Sequence, residues 1–260
     1  MHNKKFTLIE LLVVVAVIGI LASLLLPSLS KAREKAKMAV CKSNMKQLHV
    51  AYQLYADDND GYFPTNEGYM SWNDKLNTYD GRNVEYADLN LPLALFPEKY
   101  NSGIYACPDD EVQRWYSLTE GTGPKALTLS YALTRKVELN GTLTGNNRGI
   151  TGFSFNASDD PQFTSNQTKF TQVSQPSQTI STFEYMSWDR CLGRDYLSQL
   201  ELTEVEKYPE NVPHEGLNKA NYLFVDGHVN SLRFFFTMAR NDGGMGSVND
   251  HRQTMWDAYK

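Results

Sequence analysis

Four groups of residues in this 260-residue chain have the types and spacing to do chemistry. His214, Asp226 and His228 offer two imidazoles and a carboxylate, a donor set that suits zinc or manganese. Asp226 and Gly227 form an Asp-Gly pair between two apolar runs, however, and turn geometry alone accounts for that pair, so no metal is assigned. Asp57-Asp58-Asn59-Asp60-Gly61 invites a calcium loop. Aligning Gly61 with the EF-hand glycine puts Asp58, Asp60 and Glu67 at ligand positions but Ala56 at the first, so a solvated helix end capped by Gly61 is the better account. Cys41, Cys107 and Cys191 are odd in number, which allows one bridge plus one thiol or three buried thiols. Last comes a single carboxylate, Glu10, set among apolar residues. Outside these four, Trp72, Trp115 and Trp188 are able to stack on sugar rings, or simply to fill a core. No GxSxG, HExxH, P-loop or dinucleotide fingerprint occurs, and neither an enzyme nor a cofactor is expected.

The element that positions Glu10 is the run Phe6 to Leu26, 21 residues broken only by Thr7, Glu10 and Ser23. As a helix it would cover about 31 Å, the thickness of a bilayer's hydrocarbon core. An unpaired carboxylate in such a run costs up to about 2.5 to 3.5 kcal/mol, less towards the interface, so it needs a partner. A cleaved secretory signal is the competing view, but this run is longer than a signal's apolar stretch and no A-x-A closes it. Pro27 marks its end. Beyond Pro27, Met38, Cys41, Met45, Leu48, Tyr52 and Tyr55 fall at spacings of 3, 4, 3, 4 and 3, one face of a continuing helix that ends near Asp57. That face is expected to be a core seam rather than a ligand groove.

From Tyr62 to Glu111 prolines and asparagines predict mostly loop, with a short helix around Leu91 to Phe96. Strands are expected over Leu127 to Leu133, Gln178 to Met186 and Ala220 to Val225. Asn140 to Thr171 reads as a surface excursion or weak hairpin, and Leu197 to Lys207 as a short helix capped by Ser198. YLFVDGHVNSLRFF predicts a hairpin whose two-residue type I′ turn is Asp226-Gly227.

The composition, 41% hydrophobic and 21% charged, is that of a globular protein, and 15 Tyr and 12 Phe favour strands. The net charge of −5 divides into +6 over residues 1 to 56 and −11 over the rest. An acidic body lacks the clustered Lys and Arg that phosphate neutralisation requires, so nucleic acid is not an expected partner. Lys4 and Lys5 precede the apolar run while Lys31, Arg33, Lys35 and Lys37 follow it, so charge does not set its orientation.

Lys4, Lys5, Phe6 and Glu10 within KKFTLIELLVVVAVIGILASLLLP resemble the prepilin-type cleavage and methylation motif of type IV pilins and type II secretion pseudopilins. The likeness runs on through CKSNMKQLHVAYQLYADDNDGYFPT, and IYACPDD and PSQTISTFE are similar to later segments of the same group. HEGLNKANYLFVDGHV resembles the H-X9-DG segment that accompanies such N-termini, with eleven residues rather than nine between His214 and the Asp226-Gly227 pair.

The resemblance implies a leader, 1–5, cut by a prepilin peptidase between Lys5 and Phe6, where the family usually has Gly in place of Lys5. It implies methylation of Phe6, a pairing of Glu10 with the N-terminal amine of a neighbouring subunit, and a Cys41–Cys107 disulfide. A helix over 6–56, its first half spanning the bacterial inner membrane, would carry a periplasmic or extracellular α+β domain over 57–260, with an antiparallel sheet packed on the helix's outer half. The function implied is a structural subunit of a type II secretion or type IV pilus-like fibre, partnered by other pilin subunits. The alternative is a surface-displayed binding protein that uses the same leader for export and anchoring.

Overall fold

The computed structural model describes residues 7–67, 70–85, 88, 99–115, 125–139, 142–151, 153–154, 167–187, 190–192, 199–200, 205, 207, 214, 219–247 and 249–260. The first element is α1, Leu8–Asp58, 51 residues long. Thr7 caps it, its hydroxyl accepting from the Glu10 amide while the Glu10 carboxylate accepts from the Thr7 amide. Pro27 lies inside the helix and removes the bond that the Ser23 carbonyl would have accepted. The helix ends where Asp60 and Gly61 turn left-handed, φ 52° and 80°, and the Gly61 amide returns to the Ala56 carbonyl.

Short elements follow: β1 (Asn66–Glu67), α2 (Trp72–Lys75) and a 3-10 turn at Gly103–Tyr105. Then come β2 (Tyr131–Thr134), β3 (Lys136–Leu139), β4 (Thr142–Arg148), β5 (Phe153–Ser154), β6 (Ile180–Glu184), β7 (Gln199–Leu200), β8 (Ala220–Phe224), β9 (Val229–Leu232) and α3 (Phe234–Thr237). The main sheet has the order β7-β2-β6-β8-β9. Its four strands β2, β6, β8 and β9 are antiparallel to their neighbours, and β7 adds a two-residue parallel edge to β2. The class is α+β, a long N-terminal helix packed on an antiparallel sheet.

Both faces of the sheet are covered. Tyr131, Leu133 and Leu223 face α1, where Cys41, Met45, Leu48, Ala51 and Tyr52 complete the larger core. Ala132, Phe183, Tyr222 and Phe224 face the other way, against Met238 and Trp256. Alternation along the strands produces this division. The register irregularity between Ile180 and Thr182 moves Ile180 into the second core, while the Thr182 hydroxyl meets Tyr52 Oη at 3.1 Å in the first.

Several local expectations need correction. The strand expected over 127–133 is confined to Tyr131–Thr134, because the Ser130 amide already bonds to the Tyr105 carbonyl. Within the expected helix Leu197 to Lys207, Gln199 and Leu200 pair with Leu133 and Thr134 as a strand, so sheet pairing overrides the Ser198 cap signal at its start, whereas Val205 and Lys207 near its end are helical. The expected helix at Leu91 to Phe96 lies outside the described residues. The β8–β9 hairpin forms, but its turn is not the two-residue type I′. Phe224 N–H donates to the His228 carbonyl, leaving Val225, Asp226 and Gly227 as a three-residue loop. The Gly227 amide bonds back to the Phe224 carbonyl, and Gly227 alone in that loop is left-handed, φ 89°. That is a turn closed by a glycine bulge, the other common hairpin solution for this dipeptide.

Candidate anchoring and assembly site

The large apolar side chains from Leu8 to Leu29 are all between 49% and 78% exposed in the isolated chain. This half of α1 contains one helical segment long and apolar enough to cross a membrane. No described residue of the domain covers that segment. Glu10 sits one turn from its start, and its carboxylate accepts from the Thr7 amide and hydroxyl, each at 2.8 Å. Lys5 and Phe6 lie outside the described residues.

The outer half of α1 is clamped to the domain from several sides. Its seam of Cys41, Met45, Leu48, Tyr52 and Tyr55 is buried, with Met38 half-buried at the seam's near end. A disulfide joins Cys41 to Cys107, which fastens the loop after the 3-10 turn to the helix. Asn44 Nδ2 donates to the Ala106 carbonyl, and Lys37 Nζ reaches Asp109 Oδ1 at 2.9 Å. From the other side, Asn221 of β8 donates to the Met38 carbonyl, and the Gly227 loop lies on the ring of His49. Cys191 is buried outside the bridge, its thiol donating to the Trp115 carbonyl. Trp72 is fully buried against Tyr52 and Tyr105, so it belongs to the core and presents no stacking face to a ligand. Trp188 lies outside the described residues.

Of the three donors weighed as a metal site and set aside in favour of turn geometry, the structure keeps two apart from the third. His228 Nδ1 pairs with Asp226 Oδ1 at 2.6 Å on the exposed hairpin loop. His214 is buried, with Nδ1 2.9 Å from Asp109 Oδ2 and Nε2 3.4 Å from Glu184. Turn geometry accounts for Asp226 and Gly227; His214 has a different neighbourhood. One ligand atom from each of Cys41, Cys107, Glu184 and His214 lies within 4.8 Å of the others. Glu184, itself fully buried, accepts from the Asn221 amide at 2.7 Å and from Asn221 Nδ2 at 2.8 Å. Burial disfavours the His214 imidazolium, but Glu184 and Asp109 outweigh it and hold its pKa above the ordinary value. Burial also pushes the Asp109 carboxyl up, yet Lys37 and His214 overcome this and hold it below the usual range. Sequence reasoning missed Glu184, Asp109 and Asn221. One signal was there to find: a glutamate inside the otherwise uncharged strand QTISTFEYM.

A long helix whose bare apolar half projects from an antiparallel sheet domain is a pilin-like architecture, and the N-terminal quarter of the chain is homologous to type IV pilins and type II secretion pseudopilins. It is 42% identical over 61 residues to the type IV major pilin protein PilA of Myxococcus xanthus, covering 24% of this chain and 28% of that one. It is 42% identical over 69 residues to the type II secretion system core protein G of Escherichia coli, 26% of this chain and 48% of the relative. The type IV wide pilus major component PilA4 of Thermus thermophilus is 43% identical over 63 residues, 24% and 48%. The chain thus spans between about a quarter and a half of the length of these relatives. No family model matches the chain. No solved structure matches it at a significant level.

Proposed function

We propose that the chain is a structural subunit of a type II secretion or type IV pilus-like fibre, held in the bacterial inner membrane by the first half of α1 before it assembles. The observation that carries this reading is the placement of Glu10 within an apolar helical half that the domain leaves bare. Bundling such helices with those of neighbouring subunits buries that surface. A carboxylate inside the bundle then needs a cation, and the N-terminal amine of an adjacent subunit, freed by cleavage between Lys5 and Phe6 and methylated, is the natural partner. Such a pair removes the cost of two buried unpaired charges and fixes the stagger between helices. The peptidase that makes the cut, the single pass with the domain over 57–260 on the outer side, and a non-catalytic role all follow from the same reading.

The test is Glu10→Ala in the native host. Insertion depends on the apolar run and assembly on the pairing, so the variant is expected in the membrane fraction at wild-type level and absent from sheared surface fibres. Intact mass of the wild-type membrane protein is expected to show loss of residues 1–5 and one added methyl group. Variant subunits in fibres at wild-type level would overturn the pairing, and an unprocessed N-terminus on assembled protein would overturn the cleavage step.

A further inference from the structure

We infer that Cys41, Cys107, His214 and Glu184 form a zinc site when the disulfide is reduced, so that this junction is tied either by a metal or by a disulfide. The four side chains come from four separate stretches of chain, yet one ligand atom from each lies within 4.8 Å of the rest. Tetrahedral zinc, with Zn–S of about 2.3 Å and Zn–N or Zn–O of about 2.0 Å, holds its ligand atoms about 3.3 to 3.8 Å apart. Closing on an ion therefore requires the two sulfurs to separate from bonding distance once the disulfide is reduced, and the other ligand atoms to draw in from as much as 4.8 Å. Two thiolates, an imidazole and a carboxylate with no exposed position describe a closed structural zinc site rather than an open catalytic one.

The surroundings are those of a metal site. A metal-bound imidazole characteristically gives its other N–H to a carboxylate, which fixes the tautomer and aims the ring. Asp109 Oδ2 stands 2.9 Å from His214 Nδ1, which makes no hydrogen bond to a described residue as it stands and would need a small turn of the ring to give Asp109 its N–H, and Nε2 lies on the Glu184 side. Asn221 restrains Glu184 through both oxygens, with bonds of 2.7 Å and 2.8 Å. Lys37 in turn holds Asp109 at 2.9 Å. A histidine between a buried glutamate and a partly exposed aspartate, beside two buried cysteine sulfurs, is more elaborate than the disulfide needs for packing.

The two states exclude each other, because a disulfide sulfur is not a thiolate ligand. Exchange balances when a disulfide oxidant is the co-reactant. The two metal-bound thiolates give up two electrons and form the Cys41–Cys107 bond. The oxidant's disulfide takes those electrons and two protons from water to become a dithiol, and the zinc ion is released. The metal would hold the 107 loop on α1 where thiols stay reduced, and the disulfide would take over where they do not.

The experiment is a cobalt(II) titration of the full chain in detergent micelles, reduced with a phosphine during unfolding and refolded, beside the same chain left oxidised. The reduced chain is expected to bind one equivalent, with a thiolate-to-cobalt charge-transfer band and the visible bands of a tetrahedral ion, both erased by zinc. The oxidised chain should show neither band. Cys191→Ser should keep the spectrum and Cys107→Ser should lose it. Asp109→Asn, a positioning change, should weaken binding by about 10 to 100-fold. A reduced chain that shows no such bands, whether it refolds or not, overturns the inference. So does a charge-transfer spectrum surviving in Cys107→Ser, or equal cobalt affinity in His214→Ala.

Discussion

Gly227 rests directly on the ring of His49: a β-carbon at this position would stand 2.4 Å from His49 Cδ2 and 2.5 Å from Nε2. The residue is also left-handed, φ 89°. Two separate physical reasons therefore require glycine, the turn conformation and the approach of the hairpin to α1. Gly227→Ala should destabilise the folded domain by about 2 to 4 kcal/mol, roughly 1 of it from the backbone and the rest from the clash. Adding His49→Ala should recover the steric part and leave the backbone part. Urea unfolding of the two single variants and the double variant reads this coupling directly; additive losses would mean that the hairpin and helix do not press on each other.

The helix seam was legible in the sequence because a 3.6-residue period needs no knowledge of its partner. Cys41, Met45, Leu48, Tyr52 and Tyr55 announce a buried face whatever covers it. The hairpin at Asp226-Gly227 was legible for a similar local reason, but its loop length was not, since register is set by where Phe224 and His228 pair. Least legible was the cluster around His214. Its neighbours Cys41, Asp109 and Glu184 are far away along the chain, and no periodicity links a helix, a loop and a strand. The Asp-Gly motif drew attention to His228 as a companion of His214, whereas a charged residue in a strand buried on both faces was the better pointer.

A chain beginning at Ser28 keeps the seam and should fold as a soluble monomer, whereas one beginning at Asp57 should aggregate. The second loses the cover over Trp72, Tyr105, Tyr131, Leu133 and Leu223, and it also loses Cys41, the partner of Cys107. Within the longer chain Leu48→Ala should cost about 2 to 5 kcal/mol, as for other buried leucines. Size-exclusion profiles of the two truncations decide the first point. Matching monomer peaks would remove the seam from the core.

Arg114 and Asp110 form an ion pair with both side chains shut off from solvent, and Arg114 also donates to the carbonyls of Arg190 at 2.6 Å and Val112 at 2.8 Å. Cutting one member leaves a buried carboxylate with less compensation. Arg114→Met should therefore cost about 3 to 5 kcal/mol, while Asp110→Asn combined with Arg114→Met should cost clearly less than the sum of the single changes. Denaturation midpoints of the three variants measure this. A loss below 1 kcal/mol in Arg114→Met would show that the pair contributes nothing net.

Asp74 gives the domain a pH dependence of unusual sign for an aspartate. It is buried in α2 beside Trp72, and burial pushes its carboxyl up to about 6 even though Oδ2 accepts from the Ser71 amide and hydroxyl. Among the described residues, its other oxygen, Oδ1, has no hydrogen-bond partner. A folded-state pKa raised above the unfolded value of about 3.9 means that the native structure prefers the protonated form. That contribution is fully present below pH 4 and is lost as the pH rises through about 6. The loss is on the order of 3 kcal/mol, about two pKa units at 1.4 kcal/mol each. Asp74→Asn carries no such titration. The variant should therefore gain on the wild type between pH 4 and pH 7, and the gap should stay level above that. Carboxyls held low by partners, such as Asp109, slope the other way in both proteins, so the difference between the two stability curves isolates Asp74. Parallel curves over that range would place the Asp74 carboxylate in contact with water.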